Sequence, residues 1–323
     1  MHGAVAAASC APDERTTVTT TSGDLPVLPR PDGVDVPYRR WLPAGEVRGT
    51  LQLVHGASEH SGRYERLAGA LTARGLAVYA MDLRGHGRTA AVTGPGRFGA
   101  AGADGVLDDV EALHRLAAEE HPGLPRVLLG HSMGSIIALA SAERDGAGLS
   151  GLALSGPIGV SPQLAETVSA LDGAVAAGLG DQPLDALGAF NEPFEPARTP
   201  YDWLSRDPAE VDAYLADPLA GDQVPLTHGY AAGVFGMSVR AASPPGVAAL
   251  PGGLPVLLLS GQHDPVGGQD AAQVTALAGL LRERGLPVDQ RVYPEARHEV
   301  FNETNRDEVV ADLLGWLDDR LAG

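Results

Sequence analysis

The chain has 323 residues, 44% of them hydrophobic and 20% charged, which is enough apolar material for a single large core. Its 41 acidic against 23 basic side chains leave a formal charge of −18, which disfavours nonspecific attraction to nucleic acid or to anionic membrane surfaces. No run of about 18 or more apolar residues marks a membrane span, and the single cysteine, Cys10, excludes an intramolecular disulfide framework.

In chain order, Met1–Pro12 is alanine-rich but lacks the positive start and long apolar centre of a secretory signal. Residues 1–30 are therefore expected to be a flexible leader of a cytoplasmic protein, with Cys10 inert within it. Val34–Trp41 is predicted as an antiparallel edge strand or hairpin, where Pro37 is tolerable because an edge position can miss a donor. A strand over 47–54 runs into His55-Gly56-Ala57-Ser58-Glu59-His60, followed by a helix over 63–74 and a strand over 76–81. His55, Glu59 and His60 are expected to brace this loop. After Met81, Asp82 and Arg84 are expected to tie loops beneath the site, since Gly85-His86-Gly87 is no nucleotide fingerprint. A helix over 104–120 follows from Val106, Val110, Leu113, Leu116 and Ala117 at helical spacing.

The strand over 126–130 then meets Gly130-His131-Ser132-Met133-Gly134 and a small-residue helix over 132–144. A G-x-S-x-G sequence carries mechanism when it turns a strand sharply into a helix, and both flanks meet that demand. The turn lifts Ser132 to a helix N-terminus, where developing negative charge is favoured. A strand over 149–154 completes the first half. Residues 157–235 break the alternation, with proline-separated helical pieces at Leu164–Ala177, Leu184–Leu187, Pro208–Leu215 and His228–Ser238. They are predicted to form a cap over the catalytic rim, with two or three of Phe190, Phe194, Tyr201, Trp203, Tyr214, Tyr230 and Phe235 lining a pocket. The core resumes with a strand over 254–260, a helix over 268–284, a strand over 287–293 and a helix over 304–320. Strands alternating with amphipathic helices predict an α/β fold with a mostly parallel sheet, its core spanning 31–156 and 236–323.

Asp264 follows the strand over 254–260, and His298 follows the strand over 287–293, so both sit at the functional rim of a parallel sheet. The order Ser132, Asp264, His298 is that of a nucleophile, an orienting acid and a general base assembled across such a sheet. The amides of Met133 and Ala57 are the candidate pair of donors for the oxyanion.

With these residues in view, the chain resembles the monoglyceride lipase and lysophospholipase group of α/β-hydrolases, which is also grouped with the serine aminopeptidase-like hydrolases. The resemblance rests on HGASEHSGRY at 55–64, MDLRGHGRT at 81–89, GHSMGS at 130–135, SGQHDPVG at 260–267 and YPEARHEVFNE at 293–303. It covers the chain from about residue 40 to the C-terminus. It implies Ser132 as nucleophile, Asp264 as acid, His298 as base, and Ala57 with Met133 at the oxyanion, coinciding with the reading of the residues alone. The expected activity is hydrolysis of a small-molecule carboxylic ester with an apolar acyl chain, a monoacylglycerol or related medium-to-long-chain monoester, through an acyl-enzyme, with no cofactor and no metal. Number of copies is open, and a homo-oligomer is compatible with the sequence. An epoxide hydrolase or dehalogenase would carry Asp where Ser132 stands. A proline aminopeptidase would need a cap acid at the substrate amine, for which Glu192, Glu195, Asp202 and Asp207 are available. A noncatalytic binding protein is the remaining alternative.

Overall fold

The structure is a computed structural model that describes residues 25–185 and 187–321. Cys10 and the first 24 residues of the expected leader lie outside the described residues. The strands are β1 (Val27–Pro29), β2 (Asp35–Trp41), β3 (Gly49–Val54), β4 (Leu76–Met81), β5 (Arg126–His131), β6 (Gly151–Ser155), β7 (Val256–Gly261) and β8 (Val288–Tyr293). The helices are α1 (Glu65–Thr72), α2 (Ala90–Thr93), α3 (Gly102–Glu120), α4 (Met133–Asp145), α5 (Leu164–Ala174), α6 (Pro208–Ala216), α7 (His228–Ala241), α8 (Pro244–Ala249), α9 (Ala272–Glu283) and α10 (Arg306–Leu321).

All eight strands join one sheet in the order β1-β2-β4-β3-β5-β6-β7-β8. The pairings β1–β2 and β2–β4 are antiparallel, and every other pairing is parallel. Side chains alternate across the strands and so feed two separate cores. Leu51, Val78, Leu129 and Leu257 pack on one face against α1 and α10. On the other face Tyr79, Leu128, Leu152 and Leu258 pack with α3, α4 and α9. Central strands are buried on both faces, which is why they read as continuous apolar runs. A fully buried leucine such as Leu129 contributes about 1.5–3 kcal/mol, so these runs supply the main drive to collapse.

Two expectations are corrected at the periphery. Val27–Pro29, placed in the flexible leader, is a strand: it pairs with Asp35–Pro37 and forms the true sheet edge. Val34–Trp41 is therefore the inner arm of a hairpin. Of the helical piece expected over Leu184–Leu187, the described residues Leu184, Asp185 and Leu187 lie in no helix, because Pro183 bridges Thr227 and the Leu184 amide donates to the Leu226 carbonyl at 2.8 Å. That pairing commits Pro183 and Leu184 to the bridge, and Leu187 serves as the N-cap of a short 3-10 turn at Gly188–Phe194. Helices α5, α6 and α7 all fall between β6 and β7 as an inserted helical region. Among the described residues, no helix is long and apolar enough to cross a membrane.

Candidate active site

Ser132 occupies the single residue between β5 and α4, with φ 52° and ψ −121°. Such a conformation costs a non-glycine residue about 1–3 kcal/mol and persists only where the surroundings over-determine it. Here they do. A Cβ on Gly130 would fall 2.2 Å from the Gly134 carbonyl oxygen, and one on Gly134 would fall 2.1 Å from that of Val54. Only glycine lets the helix start press this closely onto β5 and β3. The Ser132 amide donates to the Ser155 carbonyl at 2.8 Å, tying the turn to β6.

Asp264 and His298, both about 1% exposed, come together from the loops after β7 and β8. The Nδ1 of His298 lies 2.9 and 3.0 Å from the two carboxylate oxygens of Asp264. The Val266 amide donates to the same carboxylate at 2.9 Å and fixes it. Burial pushes the His298 ring down, but the Asp264 charge and hydrogen bond outweigh it and hold the ring above the ordinary 6.5. With Nδ1–H turned to the acid, Nε2 is left to take a proton. Among the described residues, no hydrogen bond joins the Ser132 hydroxyl to this ring. The ring is nevertheless enclosed at the elbow: His131, next to Ser132, lies 4.9 Å from it centroid to centroid, and Trp203 covers it at 4.9 Å. Burial, and then the charge of His298, lower His131 to about 4, so it adds no competing positive charge at neutral pH.

The loop after β3 is braced as expected. Glu59 accepts from the Gly56 amide at 2.5 Å, from the Tyr64 hydroxyl at 2.6 Å and from Arg63 at 2.7 Å. Arg63 also grips Glu299 through two bonds of 2.6 and 2.9 Å, linking this loop to the residue beside His298. Burial pushes Glu59 up, but the Arg63 charge leads the opposing effects and brings it to about 2. His55 is fully buried, its Nδ1 donating to the Gly56 carbonyl at 2.8 Å and its Nε2 accepting from Leu83 at 2.9 Å. His60 donates from Nε2 to Asp217 at 2.8 Å. Asp82 receives Ser61 and Arg88, and Arg84 pairs with Asp109 and Asp32, so these two residues do tie loops together below the site. Ala57 and Met133 face one cavity with Ser132. Met133 begins α4, where helical geometry leaves its amide free.

That cavity is apolar, walled by Leu187, Phe190, Trp203, Tyr230 and Phe235 among others, and holds only about 40 Å³. Four aromatic residues of the insert thus reach it, rather than two or three. Tyr201 and Tyr214 instead pack with Trp203 into a small core of the insert's own. None of Glu192, Glu195, Asp202 or Asp207 lines the cavity. Asp202 receives the Arg198 amide and Thr199, while Asp207 caps α6 and binds Arg306. A wider cavity of about 850 Å³ lies against Asp264 but is lined by Arg206, Gln262, Glu295 and Arg297, and does not reach Ser132. The sequence carried no signal for Trp203 over His298 or for the Arg63–Glu299 link, since each joins segments far apart in the chain. His131 was visible within the elbow motif, but its role depends on the neighbouring ring.

The family model described as "Serine aminopeptidase, S33" matches residues 45–305. The monoacylglycerol lipase of Mycolicibacterium smegmatis is 36% identical over 295 residues, covering 88% of this chain and 93% of that protein. The human monoglyceride lipase is 32% identical, covering 87% and 89%. Among solved structures, a thermostable carboxyl esterase from Bacillus coagulans in complex with glycerol superposes with a TM-score of 0.85 at 31% identity, covering 93% of this chain and 98% of that one. The chain therefore belongs to the serine aminopeptidase S33 family of α/β-hydrolases, as a serine-hydrolase-type carboxylic ester hydrolase related to the monoacylglycerol lipases.

Proposed function

We propose that this enzyme hydrolyses monoacylglycerols or related medium-to-long-chain monoesters, with Ser132 as nucleophile, His298 as general base, Asp264 as orienting acid, and the Ala57 and Met133 amides as oxyanion donors. The observation that carries this reading is the apolar, aromatic-walled cavity at Ser132, beside a buried His298–Asp264 pair. Ser132 Oγ adds to the ester carbonyl carbon as its proton passes to His298 Nε2, and the carbonyl electron pair moves onto oxygen, where the two amides stabilise it. Collapse breaks the bond to the alkoxy oxygen, which leaves as the alcohol with the proton from His298. Water then adds to the acyl-enzyme, its proton taken by His298, and the second tetrahedral species releases the acid and restores the Ser132 hydroxyl. Asp264 orients the ring and stabilises the imidazolium. Residues 157–235 serve as a cap: about 40 Å³ is well short of the ~300 Å³ of an ordinary ligand site. A long acyl chain therefore enters only when the cap helices shift. Relatives named for monoacylglycerol or monoglyceride and a structural neighbour holding glycerol support the same substrate class. A cytoplasmic location is part of the proposal, and the formal charge of −18 disfavours attraction to anionic membrane surfaces.

The test is a chain-length series of monoesters, held below their aggregation thresholds, alongside N-terminal proline peptides. Each methylene buried in the transition state adds up to about 0.8 kcal/mol, reduced by chain ordering. kcat/KM should therefore climb from acetyl to octanoyl and decanoyl esters, with negligible peptide cleavage. A flat series with efficient peptide turnover would overturn the ester assignment.

A further inference from the structure

Ser58 is the one residue between the candidate oxyanion donor Ala57 and the buried Glu59 brace, and it is conformationally expensive. Its φ is 54°, a left-handed value that glycine would adopt without strain, and it is 1% exposed. Its polar groups leave the loop altogether. The Ser58 hydroxyl donates to the Val224 carbonyl at 2.8 Å, and the Ser58 carbonyl accepts from the Gly221 amide at 2.8 Å. Both partners belong to the inserted region, more than 160 residues away in sequence. Two further contacts run in parallel: His60 to Asp217 at 2.8 Å, and the Arg63 guanidinium 4.7 Å above the Tyr214 ring. Gly221 itself has φ 59° and lies against Tyr214, so the segment that receives Ser58 is folded back on its own core.

Resting on the reading of Ala57 as an oxyanion donor, we propose that Ser58 is a positioning residue: it staples the oxyanion loop to the cap, so that the Ala57 amide is held on target only while the cap is docked. The cavity at Ser132 holds only about 40 Å³, so in this proposal the cap shifts to admit a long chain. When it does, the Val224 and Gly221 bonds break together, and Ser58 keeps its left-handed conformation only through the Glu59 brace on the core side of the loop. The loop relaxes, and the donor one residue away loses its aim. Return of the cap over bound ester restores both bonds and the donor. Attack is thereby confined to the closed, water-excluding state, in which the developing oxyanion is stabilised most strongly.

The test compares Ser58→Ala and Ser58→Gly with the unaltered enzyme. Four quantities are measured: kcat, KM, the affinity for an alkyl trifluoromethyl ketone, which forms a tetrahedral adduct with the serine, and the affinity for the matching unreactive alkyl ether. A direct oxyanion donor is worth about 10²–10³ in kcat; a residue that only aims one should cost about tenfold. The ketone affinity should fall by a similar factor, whereas KM and ether affinity stay within about twofold. A merely structural role would lower the thermal midpoint without this split. Ser58→Gly removes the hydroxyl while relieving the backbone, so it remains folded if Ser58→Ala does not. Unchanged kcat and ketone affinity in Ser58→Gly would overturn the staple. So would a loss shared equally by ketone and ether, which would make Ser58 a substrate-binding residue. An unaltered protein that neither cleaves esters nor forms the ketone adduct would overturn the hydrolase reading first, a distinct result.

Discussion

Replacing Gly134 by alanine should damage catalysis more than stability. The new methyl carbon would sit 2.1 Å from the Val54 carbonyl oxygen and 2.5 Å from that of His55, where ordinary contact begins at 3.4 Å. Both obstacles are backbone at the end of β3, so no side chain can swing aside. The start of α4 must instead retreat from β3 by on the order of 1 Å. Overpacking of this kind costs about 1–3 kcal/mol, which in a chain of this size lowers the thermal midpoint by only about 1.5 °C per kcal/mol. The retreat also separates Met133 at the start of α4, and Ser132 just before it, from Ala57 beyond β3, and a misplacement of about 1 Å in a reacting constellation can cost ~100-fold in rate. Gly279→Ala provides the control. Gly279 lies within α9, its Cβ would meet nothing within 4 Å, and alanine there should stabilise by about 0.5–1 kcal/mol with activity retained. Thermal melts and ester kcat/KM on both variants decide the matter. Wild-type activity in Gly134→Ala would refute the argument that close backbone approach sets the geometry of the elbow.

Ser132→Ala should abolish labelling by a fluorophosphonate and ester turnover together while leaving the melt nearly unchanged; retained turnover in the folded variant would remove Ser132 as nucleophile. The His298 ring is held above 6.5 and must be neutral to accept a proton, so acylation should be fully present above its raised pKa and fall as pH drops through it. Following acylation itself between pH 5 and 8 checks this, and a flat profile would exclude His298 as the base. In Asp264→Asn the charge that raises the ring is gone, so the acidic limb should move to lower pH. The rate at its plateau should also fall steeply, by about four orders of magnitude if the serine-protease precedent holds; an unshifted limb with normal rate would reassign the acid.

The elbow, the strand ends that carry Asp264 and His298, and the parallel core were legible because each is written locally. Two-sided burial makes a central strand such as Leu254–Ser260 read as an apolar run, and the elbow's sterics demand glycine at both Gly130 and Gly134. Chain order alone placed Ser132, Asp264 and His298 at strand ends on one rim, since parallel strands share a direction. Tertiary structure decided what depends on partners remote in the chain. Leu184–Leu187 looked helical until the Leu226 carbonyl and Thr227 drew Pro183 and Leu184 into a bridge at its start. Val27–Pro29 looked like leader until Asp35–Pro37 supplied its strand mate. Trp203 became a cover for His298, and Ser58 a tether to Val224, through contacts that no local period or motif encodes. Hydrophobic periodicity and backbone sterics act over a few residues and so are written in the sequence, whereas a hydrogen bond or ring contact across the fold exists only once both segments have been packed together.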